Sequence, residues 1–453
     1  MSAASSDCAA GSVEQTIDAL HSQGIHSILT QFCDIHGVAR GKLVPVALLR
    51  DWVDTGAGFS GPSIWGTGLP RMGPRSEYYG RVQAESLRPL PFAAGVAHAV
   101  CDGYAGNEPL DTCSRQVLKR QVRRLAERGW TLWVGIEPEF FLLRKVQGGA
   151  GWTMADASDQ LSKPSYDLKS IQRNHELLDE LRRTLVALGF DLQQIDHEDA
   201  NGQYEVNYRF DDALQAADRY MLFKMAAHAV AERHGQVFSC MPKPLANAPG
   251  SGLHFHLSIT DAKGQAVFAN AHQPLGLSGA GRAFAAGLLA HADALSALCA
   301  PTVNSYRRLA VSESLSGTTW SPVWKAYGDN NRTCLVRVVA GRLEWRLPDP
   351  SCNVYAAIAA TIAAGLDGID AGMQAPAPCV DDLYERQRRA AHMPDRLPRD
   401  LWSALQALRA DDLLRKQVGD AFCAEFLSIK TDEWDAYHLH VSAWELERYA
   451  AAF

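Results

Sequence analysis

The sequence predicts an α+β protein: a small β-rich N-terminal domain, then a larger domain that alternates amphipathic helices with short strands. Three observations carry that prediction. Residues 12–107 are dominated by short strand-like runs and turns. From residue 108 onward, long segments repeat apolar residues at three- and four-residue spacing. The runs between those segments alternate apolar and polar residues with period two, and they hold most of the unusual charged side chains.

The elements follow in chain order. Residues 1–11 are small and polar, and a flexible N-terminus is expected there. A short helix leads into a strand over 25–33, a turn at Asp34-Ile35-His36-Gly37 and a second strand over 39–44. Helical patterns then cover 115–127, 165–188, 212–234, 282–299 and 355–366. In the first of these Val117, Leu118, Val122 and Leu125 share a face, and Gly129 stops the run. Residues 148–151 and the Pro-rich stretch 372–398 read as surface excursions, because helical patterning resumes beyond each.

Composition narrows the function. The 453 residues are 47% hydrophobic and 21% charged, near globular averages, which excludes disorder, collagen-like repeats and coiled coil. The 51 acidic residues outnumber the 44 basic ones, giving −7, so no general positive field gathers nucleic acid or anionic lipid. No apolar run approaches the roughly 20 residues of a membrane span, and the first residues lack the basic start of a secretion signal. The 10 cysteines form no C-x-x-C pair, which fits isolated thiols in a reducing compartment; a cytoplasmic location is expected.

Four segments offer chemistry. In W-V-G-I-E-P-E-F-F-L (133–142), strand geometry puts Glu137 and Glu139 on one face; a solvated edge strand, where proline and acids are both tolerated, is the alternative. Over 192–208, a hairpin turning at Asn201-Gly202 brings Glu198 near Glu205, or is simply a polar hairpin. In G-S-G-L-H-F-H-L-S (250–258), His254, His256 and Ser258 share a face, with Phe255 and Leu257 on the other; Gly250 and Gly252 allow close backbone approach to a ligand. Arg342, Glu344 and Arg346 share a face in R-L-E-W-R, where an exposed ion-pair ladder is the alternative. Arg308, Arg332 and Arg337 lie upstream. Carboxylates and an imidazole beside arginines are what divalent cations and a triphosphate need, and hard oxygen donors favour Mg²⁺ or Mn²⁺. No G-x-x-x-x-G-K-[ST] is present, so a nucleotide is not held by a P-loop.

The ordered motifs E-P-E-F, H-E-D-A-N-G-Q-Y-E, M-P-K-P with G-S-G-L-H-F-H, N-S-Y-R-R-L, N-N-R-T and R-L-E-W-R-L-P-D-P resemble the glutamine synthetase superfamily over nearly the whole chain. S-I-W-G-T-G, Q-I-D-H-E-D-A-N-G-Q and W-E-x-x-R-Y are most similar to the branch holding γ-glutamylmethylamide synthetases (glutamate–methylamine ligases) and type III-like glutamine synthetases. The resemblance implies a β-grasp domain over 12–107 and, over 108–453, a catalytic domain whose curved antiparallel sheet is flanked by helices. It implies ATP-dependent ligation of an amine to the γ-carboxylate of L-glutamate through γ-glutamyl phosphate. Methylamine is the expected acceptor. Ammonia, a polyamine or ethanolamine are the alternatives, and a non-catalytic nitrogen sensor is a reading of another class.

By motif position, Glu139, Glu198 and Glu205 resemble ligands of the metal nearer glutamate, and Glu137, His254 and Glu344 those of the metal on the ATP phosphates. At least two Mg²⁺ or Mn²⁺ ions per site are implied. Arg308 resembles the clamp on the glutamate α-carboxylate, beside the Gly250 to Gly252 loop. Arg332, Arg337 and Arg342 resemble phosphate and nucleotide contacts, Arg346 the group facing the transferred phosphoryl, and His256 and Ser258 neighbours of the nucleotide. Asp34 is either an acidic group donated across a subunit interface to accept the amine's proton or a turn residue bonded to its own backbone.

Two departures bear on the acceptor. Ser314 falls where ammonia-using relatives carry a flap glutamate, the adjacent Glu313 is the catalytic candidate to take its place although a one-residue shift redirects a side chain, and Pro249 stands where they typically have Asn. Trp320 and Trp324 offer apolar surface for an alkyl group, core packing being the alternative. Asp382-Leu383-Tyr384-Glu385 resembles a segment adenylylated in some relatives, and covalent control is not expected. The tail 442–453 resembles the one that joins two hexameric rings, so a homododecamer with active sites between subunits is implied.

Overall fold

The computed structural model describes residues 4–146, 148, 151–311, 319–389 and 392–453. Helix Ala4–Ser22 comes first, over part of the stretch expected to be flexible. The first sheet is built from β1 (Ser27–Cys33), β2 (Ala39–Pro45), β3 (Ala57–Ser60), β4 (Glu77–Val82), β5 (Arg88–Pro89), β6 (Val96–Ala105) and β7 (Glu108–Pro109). Its order is β2-β1-β6-β4-β3, with β5 and β7 also on β6, and β1 runs parallel to β6. Ile28, Phe32, Leu49 and Tyr78 form its separate apolar core.

The second sheet comprises β8 (Trp130–Lys145), β9 (Trp152–Met154), β10 (Leu192–His197), β11 (Gln203–Tyr208), β12 (Asp211–Asp212), β13 (Val237–Ser239), β14 (Leu253–Asp261), β15 (Tyr327–Asp329), β16 (Val336–Val339) and β17 (Arg342–Trp345). Its path is β10-β11-β8-β14-β17-β16-β15, antiparallel except between β15 and β16. β8 is therefore a central strand, which excludes the edge-strand reading of Glu137 and Glu139. Pro138 is tolerated because it sits opposite Leu253, where β14 begins and the Leu253 N–H donates to the Pro348 carbonyl instead.

Period two divides the faces of this sheet. Phe255, Leu257, Leu343 and Trp345 are completely buried among helices that include Ala213–Arg233 and Val354–Asp370. Small residues let two of these helices approach closely: a Cβ on Gly287, in helix Gly279–Ala290, would lie 2.1 Å from the Ala364 carbonyl. The other face carries the charged residues described below.

Two long helical patterns are each broken once. Residues 165–188 become Leu168–Arg173 and His175–Ala187, because the Asn174 amide donates to the Ser170 carbonyl (3.0 Å) and the Tyr204 hydroxyl (2.8 Å). Residues 282–299 become Gly279–Ala290 and Ala292–Cys299, separated by His291. The Pro-rich stretch contains helix Leu383–Arg388, capped by Asp382.

The two sheets are joined by buried charge. Arg115, on helix Ser114–Ala126, pairs with Asp102 of β6 and with Asp218 (2.8 Å) of helix Ala213–Arg233. Lys119 also pairs with Asp102, so two cations balance two anions, each of which alone would be a costly buried ion. Among the described residues no helix is long and apolar enough to cross a membrane.

Candidate active site

Cross-strand register assembles the site. Asp196 on β10 lies opposite Glu205 on β11, and Glu205 lies opposite Glu139 on β8. One step along β8, Glu137 lies opposite His254 on β14. His256 on β14 is opposite Glu344 on β17, which in turn is opposite Arg337 on β16. Directly opposed residues share a face, so these form three rows on one side of the sheet: Asp196, Glu205 and Glu139; Glu137 and His254; His256, Glu344 and Arg337. They line a cavity of about 560 Å³ together with Glu198, Gly250, Gly252, Arg308, Arg332, Arg342 and Arg346. Ser258 lies in an adjoining groove with His256, Arg342 and Phe210.

The two ends of the cavity differ electrostatically. At one, Glu344 accepts from Arg337 (2.6 Å) and from Arg346. His256 Nε2 lies 2.9 Å from Glu137, and His254 Nδ1 sits 3.7 Å from Glu137 and 3.6 Å from Glu344. Burial pushes Glu344 upward, but Arg346 and the histidines outweigh it and hold the carboxyl at about 2. His254 is lowered to about 4 by burial and by Arg346, so it presents a neutral imidazole.

At the other end, no lysine or arginine among the described residues pairs with Glu139, Asp196, Glu198 or Glu205. One ligand atom each from Asp196, Glu198 and Glu205 falls within 4.8 Å of the others; the same holds for Glu137, His256 and Glu344. Burial and neighbouring carboxylates push Glu139, Glu198 and Glu205 upward. Glu139 is partly offset by donors from the Gly252 N–H (2.8 Å) and Gln203 (3.1 Å). Converging, underneutralised oxygens are a donor set suited to divalent cations with oxygen preference.

Arg308 is buried, and donates to the Leu347 and Arg346 carbonyls at 2.9 Å each. Gly250 and Gly252 make room for it: a Cβ on Gly252 would lie 2.8 Å from the guanidinium. Arg332 has no carboxylate partner among the described residues, so its charge is open to an anion.

Asp34 is placed differently. Its carboxylate accepts from the His36 and Val38 N–H groups (3.0 Å each) and from Arg40 Nε (2.9 Å), and its side chain has no exposed surface. It does not line the cavity of its own chain, and its bonds to the His36 and Val38 N–H groups are those of the turn-residue alternative. Glu313 and Ser314 lie outside the described residues. Trp324 is 3% exposed and packs edge-on to Tyr384, the core alternative, whereas Trp320 is 39% exposed and lines the cavity. Tyr384 is buried and donates to the Ser321 carbonyl (2.8 Å).

Sequence reasoning missed Asp196 and Tyr166 in the cavity wall. Asp196 was recoverable, since it stands two residues before Glu198 in a strand.

Residues 111–449 match the glutamine synthetase catalytic-domain family. The chain belongs to the glutamine synthetase family. Members of this family are carbon–nitrogen ligases that use ATP and divalent metals. The chain is 46% identical to the glutamate–methylamine ligase of Methyloversatilis universalis, covering 94% of this chain and 96% of that one. It is 37% identical to a glutamine synthetase of Rhizobium leguminosarum, covering 93% and 96%. A solved structure described as a GmaS/ADP complex superposes with a TM-score of 0.89 at 38% identity, covering 96% of this chain and 99% of that one.

Proposed function

We propose that the protein ligates a small alkylamine, methylamine first, to the γ-carboxylate of L-glutamate at the expense of ATP. The observation that carries this reading is one cavity in which opposed carboxylate rows meet Arg308, Arg332, Arg337, Arg342 and Arg346. The likeness to a glutamate–methylamine ligase supports the choice of amine.

A carboxylate is a poor electrophile, so its oxygen first attacks the terminal phosphorus of ATP, releasing ADP and leaving γ-glutamyl phosphate. Both reactants are anionic, and two or more Mg²⁺ or Mn²⁺ ions at the carboxylates would neutralise them there. Arg308 suits the α-carboxylate, because its buried fork is fixed by two backbone carbonyls. Arg332, Arg337 and Arg342 suit the phosphates, and Arg346 the transferred group. The groove at Phe210, His256 and Ser258 offers a ring and polar groups for the nucleotide.

The amine arrives as an ammonium and must lose a proton before it attacks the acyl carbon and expels phosphate. Of the acids in the cavity wall, Glu198 and Glu205 would be taken up by a metal, which leaves Asp196, its pKa raised by burial and by Glu137, to bind the ammonium and accept that proton. Trp320 adds an apolar wall to the same cavity for the alkyl group.

The location is read as cytoplasmic. The assembly is read as a homododecamer of two hexameric rings, supported by the exposed Trp444, Leu446 and Phe453 of the C-terminal tail.

The test is glutamate-dependent ADP release with Mg²⁺ and ATP, comparing methylammonium, ammonium, ethylammonium, ethanolamine and putrescine at one pH. A higher kcat/KM for methylammonium, with the amide confirmed by mass, supports the proposal. Preference for ammonium would make the enzyme a glutamine synthetase, and no turnover with any amine would favour a sensor.

A further inference from the structure

Asp159 and His197 line no part of the cavity, yet both are buried beside it, with no exposed side-chain surface. His197 directly precedes Glu198. Its Nε2 lies 2.6 Å from Asp159 Oδ2, and its Nδ1 lies 2.9 Å from the carbonyl oxygen of Glu198. A carbonyl oxygen only accepts, so Nδ1 carries the hydrogen of that contact. Asp159 also receives the Gly202 N–H (2.6 Å) and the Asn201 amide (2.9 Å).

Further ties run from the same segment to the same turn. The Leu161 carbonyl accepts from Asn201 (3.1 Å), Ser165 donates to Asp199, and the Tyr166 N–H donates to the His197 carbonyl (2.9 Å). All of them land on residues 197–202, which carry Glu198 and turn the chain towards Glu205.

That turn needs restraint. Asp196, Glu198 and Glu205 crowd like charge at its base, and their repulsion works against the pairing of the two arms. The returning arm is anchored in the main core through Tyr204, Val206 and Tyr208, but the turn itself contributes only Ala200 to a small cluster with Phe141 and Leu143.

We propose that Asp159, acting through His197 and the Gly202 N–H, is a positioning residue that holds Glu198 and Glu205 in register as cation ligands. This rests on the reading above that these carboxylates bind a divalent cation. Groups that orient ligands without touching the metal typically contribute about 10- to 100-fold in affinity. The effect should be confined to one end of the cavity, because Glu137, His254 and Glu344 lie on β8, β14 and β17, which the 159–166 segment does not touch through any of these bonds.

The experiment is Mn²⁺ titration of the full chain by calorimetry and electron paramagnetic resonance, using Asp159→Asn, His197→Asn and His197→Gln. The side-chain nitrogen of Asn stands near the position of Nδ1 and that of Gln near Nε2, so only His197→Gln keeps the link to Asp159. The expected result is two classes of Mn²⁺ site in the wild type. One class weakens about 10- to 100-fold in Asp159→Asn and His197→Asn while the other is unchanged, and His197→Gln lies close to wild type. Equal weakening of both classes, no change in Asp159→Asn, or identical behaviour of the two His197 variants would overturn the proposal. Should Asp159→Asn fail to fold, the two His197 variants decide it. A wild type that binds no Mn²⁺ would overturn the cation reading itself, which an unchanged Asp159→Asn would leave standing.

Discussion

Glu139 and Glu205 stand directly opposite each other across the pairing of β8 and β11, and Asp196 faces Glu205 from its other side. Opposed like charges destabilise a sheet by up to about 1 kcal/mol per pair. Glu205→Gln should therefore raise the melting temperature of metal-free protein by about 2 °C, while cutting the additional rise produced by Mg²⁺ or Mn²⁺. Thermal unfolding with and without the cation checks both signs, and ligase activity should fall by more than about 100-fold.

Gly250 and Gly252 are predicted to fail differently. A Cβ at Gly250 would lie 2.4 Å from the Pro242 backbone carbonyl, so Gly250→Ala should cost about 1–3 kcal/mol of stability in urea unfolding. At Gly252 the nearest atoms are side-chain ends, His254 Nε2 at 2.6 Å and Arg308 Nη2 at 2.8 Å. Gly252→Ala should stay closer to native stability yet lose activity out of proportion, because it displaces both side chains.

Arg308→Lys should not be conservative. Lysine cannot span the Leu347 and Arg346 carbonyls that the guanidinium satisfies, and an unmade buried hydrogen bond costs about 1–3 kcal/mol. Lower stability in urea and a KM for glutamate raised more than that for ATP are expected.

Trp320→Ala should shift acceptor preference. Removing an apolar contact to one methyl group typically changes discrimination about 10-fold or more. The ratio of kcat/KM for methylammonium to that for ammonium should fall accordingly, with the KM for ATP unchanged.

A pH effect on stability is expected away from the cavity. His291 lies 2.6 Å from Asp411 and 3.1 Å from Asp367. Burial alone would lower its pKa, but the two carboxylates outweigh it and raise it above the ordinary value. A raised histidine stabilises the fold below its unfolded pKa, and loses that contribution as pH rises through its folded pKa. His291→Gln should therefore cost on the order of 1 kcal/mol at pH 6 and much less at pH 9, measured by urea unfolding at each pH.

Much of the site was legible because strand alternation is a local property. Glu137 with Glu139, and His254 with His256, sort onto one face from spacing alone. What spacing does not give is lateral register, and register is what sets Asp196 beside Glu205. Asp159 was invisible for the same reason: its partners are 38 and more residues away. The helix over 165–188 was read as continuous because its apolar pattern persists across Asn174, whose break depends on the distant Tyr204 hydroxyl. Asp34 shows how far spacing reaches: the turn bonds of one of its two readings are local and appear in the structure, whereas the other concerns a neighbouring subunit.

The two carboxylates of β8 are separated by a single intervening residue, so the backbone sets their spacing at about 6.8 Å. Glu137 belongs to the end rich in arginine and histidine, and Glu139 to the acidic row. The distance between those two ends is thus a covalent ruler, indifferent to how side chains repack around it. Walls such as Trp320 and Pro249 can be exchanged, and the accepted amine retuned, without recalibrating the phosphoryl-transfer half of the cavity.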